Sequence, residues 1–300
     1  MKRLPVFFVV LGFAVAALYF SQRRREHTPV SANAILNMAA DAQRDLMRAP
    51  MRLTHISDAE EIRIGDELAA RYALQGQKLA AEDQGLEKYV VKVGGTVAVH
   101  AHRHLPYRFH LLPDHALLNA FSLPGGHVYV GRGLVDLLTT EDELANVLAH
   151  EVEHIDHYHC AERVQLEARL KKLRLDAVGE LLQIPLELWE TGYHKDEEME
   201  ADREGMHLAV LSGYSPYGAV SVFERFAKLH QEYVIHAESP EQELSELAIQ
   251  SLTGYFRSHP LPSERLAQAS SLIAQEHWEN QKTQRPFHVE YEVHNGEYVR

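Results

Sequence analysis

The chain has 300 residues, 45% hydrophobic and 24% charged, proportions of a globular protein that exclude a disordered or fibrous one. Its formal net charge of −13 at pH 7 excludes a nucleic-acid surface, because neutralising phosphates takes a surplus of Lys and Arg. Cys160 is the only cysteine, so no intramolecular disulfide forms, and a small buried side chain is a simpler reading of it than a nucleophile.

Residues 1–25 differ in kind from the rest. Lys2 and Arg3 precede the uncharged run LPVFFVVLGFAVAALYF, from Leu4 to Phe20, and Arg23, Arg24 and Arg25 follow it. Such a run suits hydrocarbon. Its length sits at the lower edge of a membrane-spanning helix and also fits a signal-peptide core, with Ala14-Val15-Ala16 as the cleavage site. The expectation is a signal anchor or signal peptide that meets the membrane through residues 4–20, with basic residues on both flanks leaving its orientation open. Residues 26–56 read as a polar connector with helical character around 32–47. The main domain is expected over 57–275, with a C-terminal extension over 276–300.

A helix opens at Ser57, with Glu60 three residues on in a capping-box arrangement, and runs through EEIRIGDELAARYAL. From Tyr89 to Val130 the texture turns β-branched and aromatic: YVVKVGGTVAV, YRFHLL, NAFSL and HVYV predict a small sheet, with a tight turn at Gly125 and Gly126. His100, His102 and His104 alternate along this stretch and would share one strand face, read as an exposed polar face rather than a second metal site. From Leu134 to Leu173 the apolar spacing is helical; Thr140 is the N-cap with Glu143 three on, and Leu144, Val147, Leu148 and Val152 form the buried stripe. An apolar, mostly helical stretch over 174–193 is interrupted by Pro185. Further helices are expected from about Lys195 to Leu211, ending at Gly213, from Tyr217 to Leu229, and after Pro262. The fold class is α+β, mainly helical, with a small β-sheet and no internal repeat.

The helix that begins at Thr140 carries HEVEH, residues 150–154. Among 20 histidines an H-E-x-x-H arises by chance on the order of one time in ten, so the motif needs company. On a helix His150 and His154 stack on one face, close enough for both imidazoles to bind one zinc, while Glu151 projects beside the metal as a general base for an activated water. Glu153 points elsewhere and is expected to be solvated. A catalytic zinc takes three protein ligands. A further histidine six residues beyond the motif is excluded, because Cys160 stands there. The other solution is a glutamate on a second helix with an aspartate one turn later that holds a ligand histidine. Of all the glutamates only Glu198 has an aspartate four residues on, Asp202, and both lie in the helix EEMEADREG. Ligation is assigned to Glu198, with Glu200 as the rival. His157 lies near the same face as His150 but too far along the axis to share the ion. Tyr129 and Tyr193 read as packing residues.

HEVEH, EMEAD and the preceding NAFSLPGGHVYVGRGLVDLL together resemble the HtpX and CAAX-prenyl-protease family of membrane-associated zinc metallopeptidases, especially its periplasmic BepA-type members, over about Ser57 to Leu266. The resemblance implies a zincin-like domain, one zinc per chain, and substrates that are unfolded or misassembled envelope proteins in protein quality control. It also implies that Asn119, with Ala120 and Phe121, holds substrate backbone beside the metal. The strand of His127, Val128, Tyr129 and Val130 would pair with an extended peptide by main-chain hydrogen bonds. The family's HP-x-x-x-x-R element matches His259, Pro260 and Arg265, which makes His259 an assistant to the oxyanion. Two departures stand out. His194-Lys195 replaces a common Ser-Arg, and Lys does not copy the bidentate fork of Arg. The helical-repeat tail of BepA-type members does not read here, so functions resting on it are not expected.

The sequence therefore predicts a zinc metalloendopeptidase of the gluzincin type, with His150, His154 and Glu198 on the metal, Glu151 as base, and Asp202 orienting a ligand. The expected site is an inner-membrane anchored protein with its catalytic domain in the periplasm; release to the periplasm after signal cleavage is the alternative. A membrane-associated binding or assembly factor with a latent site is the rival function. No oligomeric state reads from the sequence.

Overall fold

The computed structural model describes residues 56–75, 79–170, 192–235 and 262–287. Helix α1 (Asp58–Gln75) opens on the predicted box: Ser57 Oγ donates to Glu60 Oε2 at 2.9 Å and accepts from the Glu60 main-chain N at 3.3 Å. Residues 84–98, where the first strand was expected to begin, instead form helix α2 (Gln84–Ala98). Leu86, Tyr89, Val90, Val93 and Val97 are all buried and recur at helical spacing. Burying that stripe outweighs the strand preference of the four valines in α2, which is worth a fraction of a kcal/mol each, of order 1 kcal/mol across the whole scale. His100, His102 and His104 consequently lie in the irregular segment between α2 and the first strand, not on a strand.

The sheet has strands β1 (Arg108–Leu112), β2 (Ala120–Leu123) and β3 (His127–Gly131) in the order β1-β3-β2. β1 runs parallel to β3 with Arg108 opposite His127, and β2 runs antiparallel with Leu123 opposite His127. The Pro124–Gly126 turn joins β2 to β3 with Gly125 at φ 77° and Gly126 at φ 107°. A Cβ on Gly125 would stand 2.6 Å from Ile62 Cα, so the turn seats on α1 only as glycine.

Beyond the sheet the helical stretch expected over 134–173, with its N-cap at Thr140, comprises α3 (Arg132–Leu137), α4 (Glu141–Asp156) and α5 (His159–Leu170). Thr140 caps α4 as predicted, accepting from Glu143 N at 3.1 Å while Glu143 reaches back to Thr140 N at 3.3 Å. The break between α4 and α5 falls at Tyr158, whose φ of 63° is left-handed and ends a helix. Helix α6 (Lys195–Leu211) stops before Gly213 at φ 82°, followed by α7 (Tyr217–Ile235) and α8 (Pro262–Gln275).

Strand alternation sorts side chains into two cores. Phe109, Leu111, Ala120, Val128 and Val130 join the larger core with α2, α4, α6, α7 and α8. Phe121, Leu123 and Tyr129 face the other way, against Ile64, Leu68 and Tyr72 of α1 and Ala161, Val164 and Ala168 of α5. Residues 276–287, expected to begin an extension, fold back on the start of α4: Glu141 N donates to Arg285 O at 2.9 Å, Thr140 bridges Pro286, and Trp278 is buried. The described residues all belong to one compact unit. The apolar segment 4–20, the connector and its helix, most of the stretch around Pro185, and His259 lie outside the described residues. Among the described residues no helix is long and apolar enough to cross a membrane.

Candidate metal centre

Helices α4 and α6 touch through their main chains at Gly205, where a Cβ would come within 2.9 Å of His150 N and 3.0 Å of His150 Cα. That approach brings HEVEH against the glutamate of α6. His150 Nε2 and His154 Nε2 are 3.1 Å apart, Glu198 Oε2 is 3.4 Å from His150 Nε2, and Glu198 Oε1 is 3.7 Å from His154 Nε2. A tetrahedral zinc with ligands at its usual distances spans edges of about 3.3 Å, so the triangle fits the ion. Among the described residues these three form the only group of His, Cys, Asp or Glu side chains placed to hold a metal.

Each histidine is oriented from behind. His150 Nδ1 lies 2.9 Å from Asp202 Oδ1, which places the ring proton on Nδ1 and leaves the Nε2 lone pair for the site. Asp202 is gripped in turn by Arg265, whose Nε and NH2 reach its two oxygens at 2.7 and 2.5 Å, with the guanidinium over the Phe223 ring at 4.4 Å. Burial disfavours charge on Asp202, but Arg265 and His150 outweigh it and hold the carboxyl below its ordinary range. Burial likewise disfavours charge on His150, yet Asp202 and Glu198 outweigh it and raise its pKa to about 9. The cage favours positive charge.

His154 is held differently. Its Nδ1 is 2.9 Å from His159 Nδ1, and His159 Nε2 is 3.4 Å from Glu200 Oε2. With Glu200 accepting from His159 Nε2–H, His159 Nδ1 accepts from His154 Nδ1–H, and the His154 Nε2 lone pair is freed for the metal. Glu200, the rival ligand, thus stands two side chains out. The His159 bond is the main cause of its low pKa of about 2, with partial burial opposing and His157 adding to it. Tyr193 is more than packing: its ring stacks on His154 at 4.0 Å between centroids, its main-chain N donates to Glu198 Oε1 at 2.8 Å, and its hydroxyl lies 3.0 Å from Cys160 Sγ. Burial raises the Cys160 pKa and leaves the thiol inert.

Glu151 is buried, and Ser122 Oγ lies 2.7 Å from its Oε2 and 2.8 Å from its carbonyl oxygen. The expectation for Glu153 is corrected. It is buried, which raises its pKa against the opposing bond from His157 Nε2 at 3.2 Å, because its side of α4 is covered rather than solvated. His157 pairs with Glu153 and Glu200 and takes no part in the ligand triangle. Lys195 makes an exposed ion pair with Glu264 at 2.6 Å.

The substrate-side residues separate. Asn119 is buried and accepts from Gly131 N through its main-chain oxygen, and Ala120 lines a cavity beside His150 and Glu151. Phe121 and Tyr129 stack at 5.1 Å in the smaller core, on the sheet face away from α4. His127 bonds Asp66 at 2.9 Å and stacks on His110, and Val128 is packed in the larger core. β3 is flanked on both sides by strands, so the expectation that His127, Val128 and Tyr129 pair with a peptide is corrected; β2 is the terminal strand nearest the base. Ser122 went unread in the sequence, although it shares the strand face of Ala120, which is a signal. His159 reads there only as a histidine that follows the motif without being a ligand, because the turn just before it, which re-aims it at the start of α5, was read as helix.

Two histidines one turn apart, answered by a carboxylate across a helix crossing, place the chain in the class of metallopeptidases. Residues 85–273 match Peptidase family M48, and the chain belongs to that family. It is 26% identical over 233 residues to the beta-barrel assembly-enhancing protease of Escherichia coli (strain K12), covering 71% of this chain and 44% of that protein. It is 29% identical to metalloprotease LoiP of the same organism over 136 residues, 42% of this chain and 52% of that protein. With the mitochondrial metalloendopeptidase OMA1 of Schizosaccharomyces pombe it shares 32% over 136 residues, 43% and 40% of the two chains. The chain spans less than half the length of the first of these relatives.

Proposed function

We propose that the chain is a zinc-dependent endopeptidase that cuts unfolded or misassembled proteins of the cell envelope. The observation that carries this reading is the preformed triangle of His150, His154 and Glu198, buried and edged at 3.1 to 3.7 Å, with Glu151 beside it. Zinc held there would lower the pKa of a water and polarise a peptide carbonyl. Glu151 then accepts the proton of the attacking water and hands it to the leaving amine. Ser122 fixes the carboxylate for both transfers, and Asp202 and His159 keep the two imidazoles in the ligand tautomer. The terminal strand β2, with Asn119 and Ala120, is the main chain nearest the site for an extended substrate, and His259 is retained as the oxyanion assistant.

The envelope assignment rests on the relatives' names and on the apolar run 4–20, which serves as an inner-membrane anchor with the catalytic domain outside the cytoplasm. The test compares zinc content and casein degradation for wild type, Glu151→Gln and Glu198→Ala. Wild type should hold one zinc and cut, Glu151→Gln should hold zinc without cutting, and Glu198→Ala should lose the metal. A wild type that binds zinc and cuts nothing would move the protein to the class of binding factors.

A further inference from the structure

We infer that Arg163 is a positioning residue that orients the Glu198 carboxylate through the peptide group between Gly192 and Tyr193, an inference that rests on the metal-centre reading above. Arg163 Nη2 donates to Gly192 O. On the other side of the same peptide, Tyr193 N donates to Glu198 Oε1 at 2.8 Å. The unit is trans and flat, so its C=O and N–H point opposite ways. Holding the oxygen therefore aims the N–H, and the N–H sets the carboxylate.

Charge adds to the geometry. A guanidinium on the carbonyl oxygen polarises the peptide and strengthens the bond that its N–H gives to an anion, and Glu198 is buried, away from competing water. Arg163 also lies over the Tyr193 ring at 3.9 Å, while that ring stacks on His154 at 4.0 Å between centroids. Two groups so close to one ring centre stand on opposite faces, so the ring is a spacer between cation and imidazole. Tyr193 Oη lies 3.0 Å from Cys160 Sγ, and Cys160 stands three residues before Arg163 on α5. One turn of α5 thus holds both the peptide and the ring. With Oε1 engaged by Tyr193 N–H, Glu198 presents Oε2, which is 3.4 Å from His150 Nε2. A catalytic site keeps its fourth position open, and a carboxylate turned to chelate with both oxygens would take that position.

The experiment loads the full chain with cobalt(II) in place of zinc, as wild type, Arg163→Met and Arg163→Lys. Visible absorbance per bound ion is read, because four-coordinate cobalt absorbs severalfold more strongly than five-coordinate cobalt. Wild type should give the strong spectrum. Arg163→Met fills the space without a donor or a charge; it should bind one cobalt with severalfold weaker absorbance, and its zinc form should lose kcat about 10–100-fold at unchanged KM. Arg163→Lys restores one donor and the charge and should recover most of both. Arg163 is only half-buried; should Arg163→Met fail to fold, as judged by its urea midpoint, Arg163→Gln takes its place with the same loss expected. A folded Arg163→Met that releases the ion while Arg163→Lys keeps it also upholds the assignment. A weak wild-type spectrum, identical spectra in wild type and the uncharged variant, or equal losses with lysine and methionine overturn it. A wild type that binds no cobalt overturns it together with the metal centre. The full spectral contrast without cleavage of any peptide upholds it and removes only the endopeptidase reading.

Discussion

Ser122 Oγ stands 2.7 Å from Glu151 Oε2, reaching from the middle of β2 to the carboxylate that follows the first histidine of HEVEH. A carboxylate with two freely rotating oxygens presents the wrong one much of the time, and the hydroxyl removes that freedom. A hydrogen bond to a charged group is worth about 1.5–3 kcal/mol. Ser122→Ala should therefore lower kcat about tenfold or more with one zinc still bound, read from turnover beside metal analysis. Undiminished turnover would reduce the serine to a space filler.

Arg265 neutralises a buried aspartate, Asp202. Arg265→Met should destabilise the domain by about 3–5 kcal/mol, because it strands a buried charge, and should loosen His150. The double variant Arg265→Met, Asp202→Asn should recover part of that stability but not the metal affinity. Urea unfolding and competition with a chelator separate the two effects.

His159 supports the far nitrogen of His154, with 2.9 Å between their Nδ1 atoms. His159→Phe keeps a ring in the space and deletes both hydrogen bonds, and should weaken zinc binding about 10–100-fold in chelator competition. Unaltered affinity would assign the orientation of His154 to Tyr193 stacking alone.

Acid should destabilise the sheet through His110. Burial is the main cause that lowers its pKa from 6.5 to about 4, and the neighbouring His127 and Arg108 charges add to it. His127 is lowered too, by burial against the opposing Asp66. Both are neutral in the fold and gain protons on unfolding, so stability is complete above pH 6.5 and falls as pH drops from there towards about 4. His110→Gln should recover on the order of 1–2 kcal/mol at mildly acid pH relative to its effect at pH 7, measured as urea midpoints. An equal effect at both pH values would discharge His110 from the role.

The site was more legible than the fold around it. HEVEH and the single E-x-x-x-D pair named the three candidate ligands and Asp202, because helical spacing alone decides which side chains share a face. Ser57, Thr140 and Gly213 marked helix ends through local hydrogen bonds that depend on a few neighbouring residues. YVVKVGGTVAV misled because β-branched composition and helical periodicity pointed in opposite directions, and burial of Tyr89, Val90, Val93 and Val97 on one stripe decided the outcome. The placing of His159 behind His154, with Glu200 behind it, follows one left-handed residue, Tyr158 at φ 63°. Its ring lies under the Arg103 guanidinium at 3.8 Å, and Arg103 is itself held by Glu61 from α1 at 2.5 Å. No local pattern announces a turn held from so far along the chain.

At Gly205 the distance between two helices is set by a hydrogen atom where every other residue would carry carbon. Core side chains can repack by tenths of an ångström when a neighbour changes, but two main chains in contact cannot. The gap between His150, His154 and Glu198 is therefore a backbone dimension, shielded from drift elsewhere in the interior. Substitutions in the surrounding core alter how firmly the helices are clamped; a methyl group at position 205 alters the gauge itself, and with it the size of ion the two helices can share.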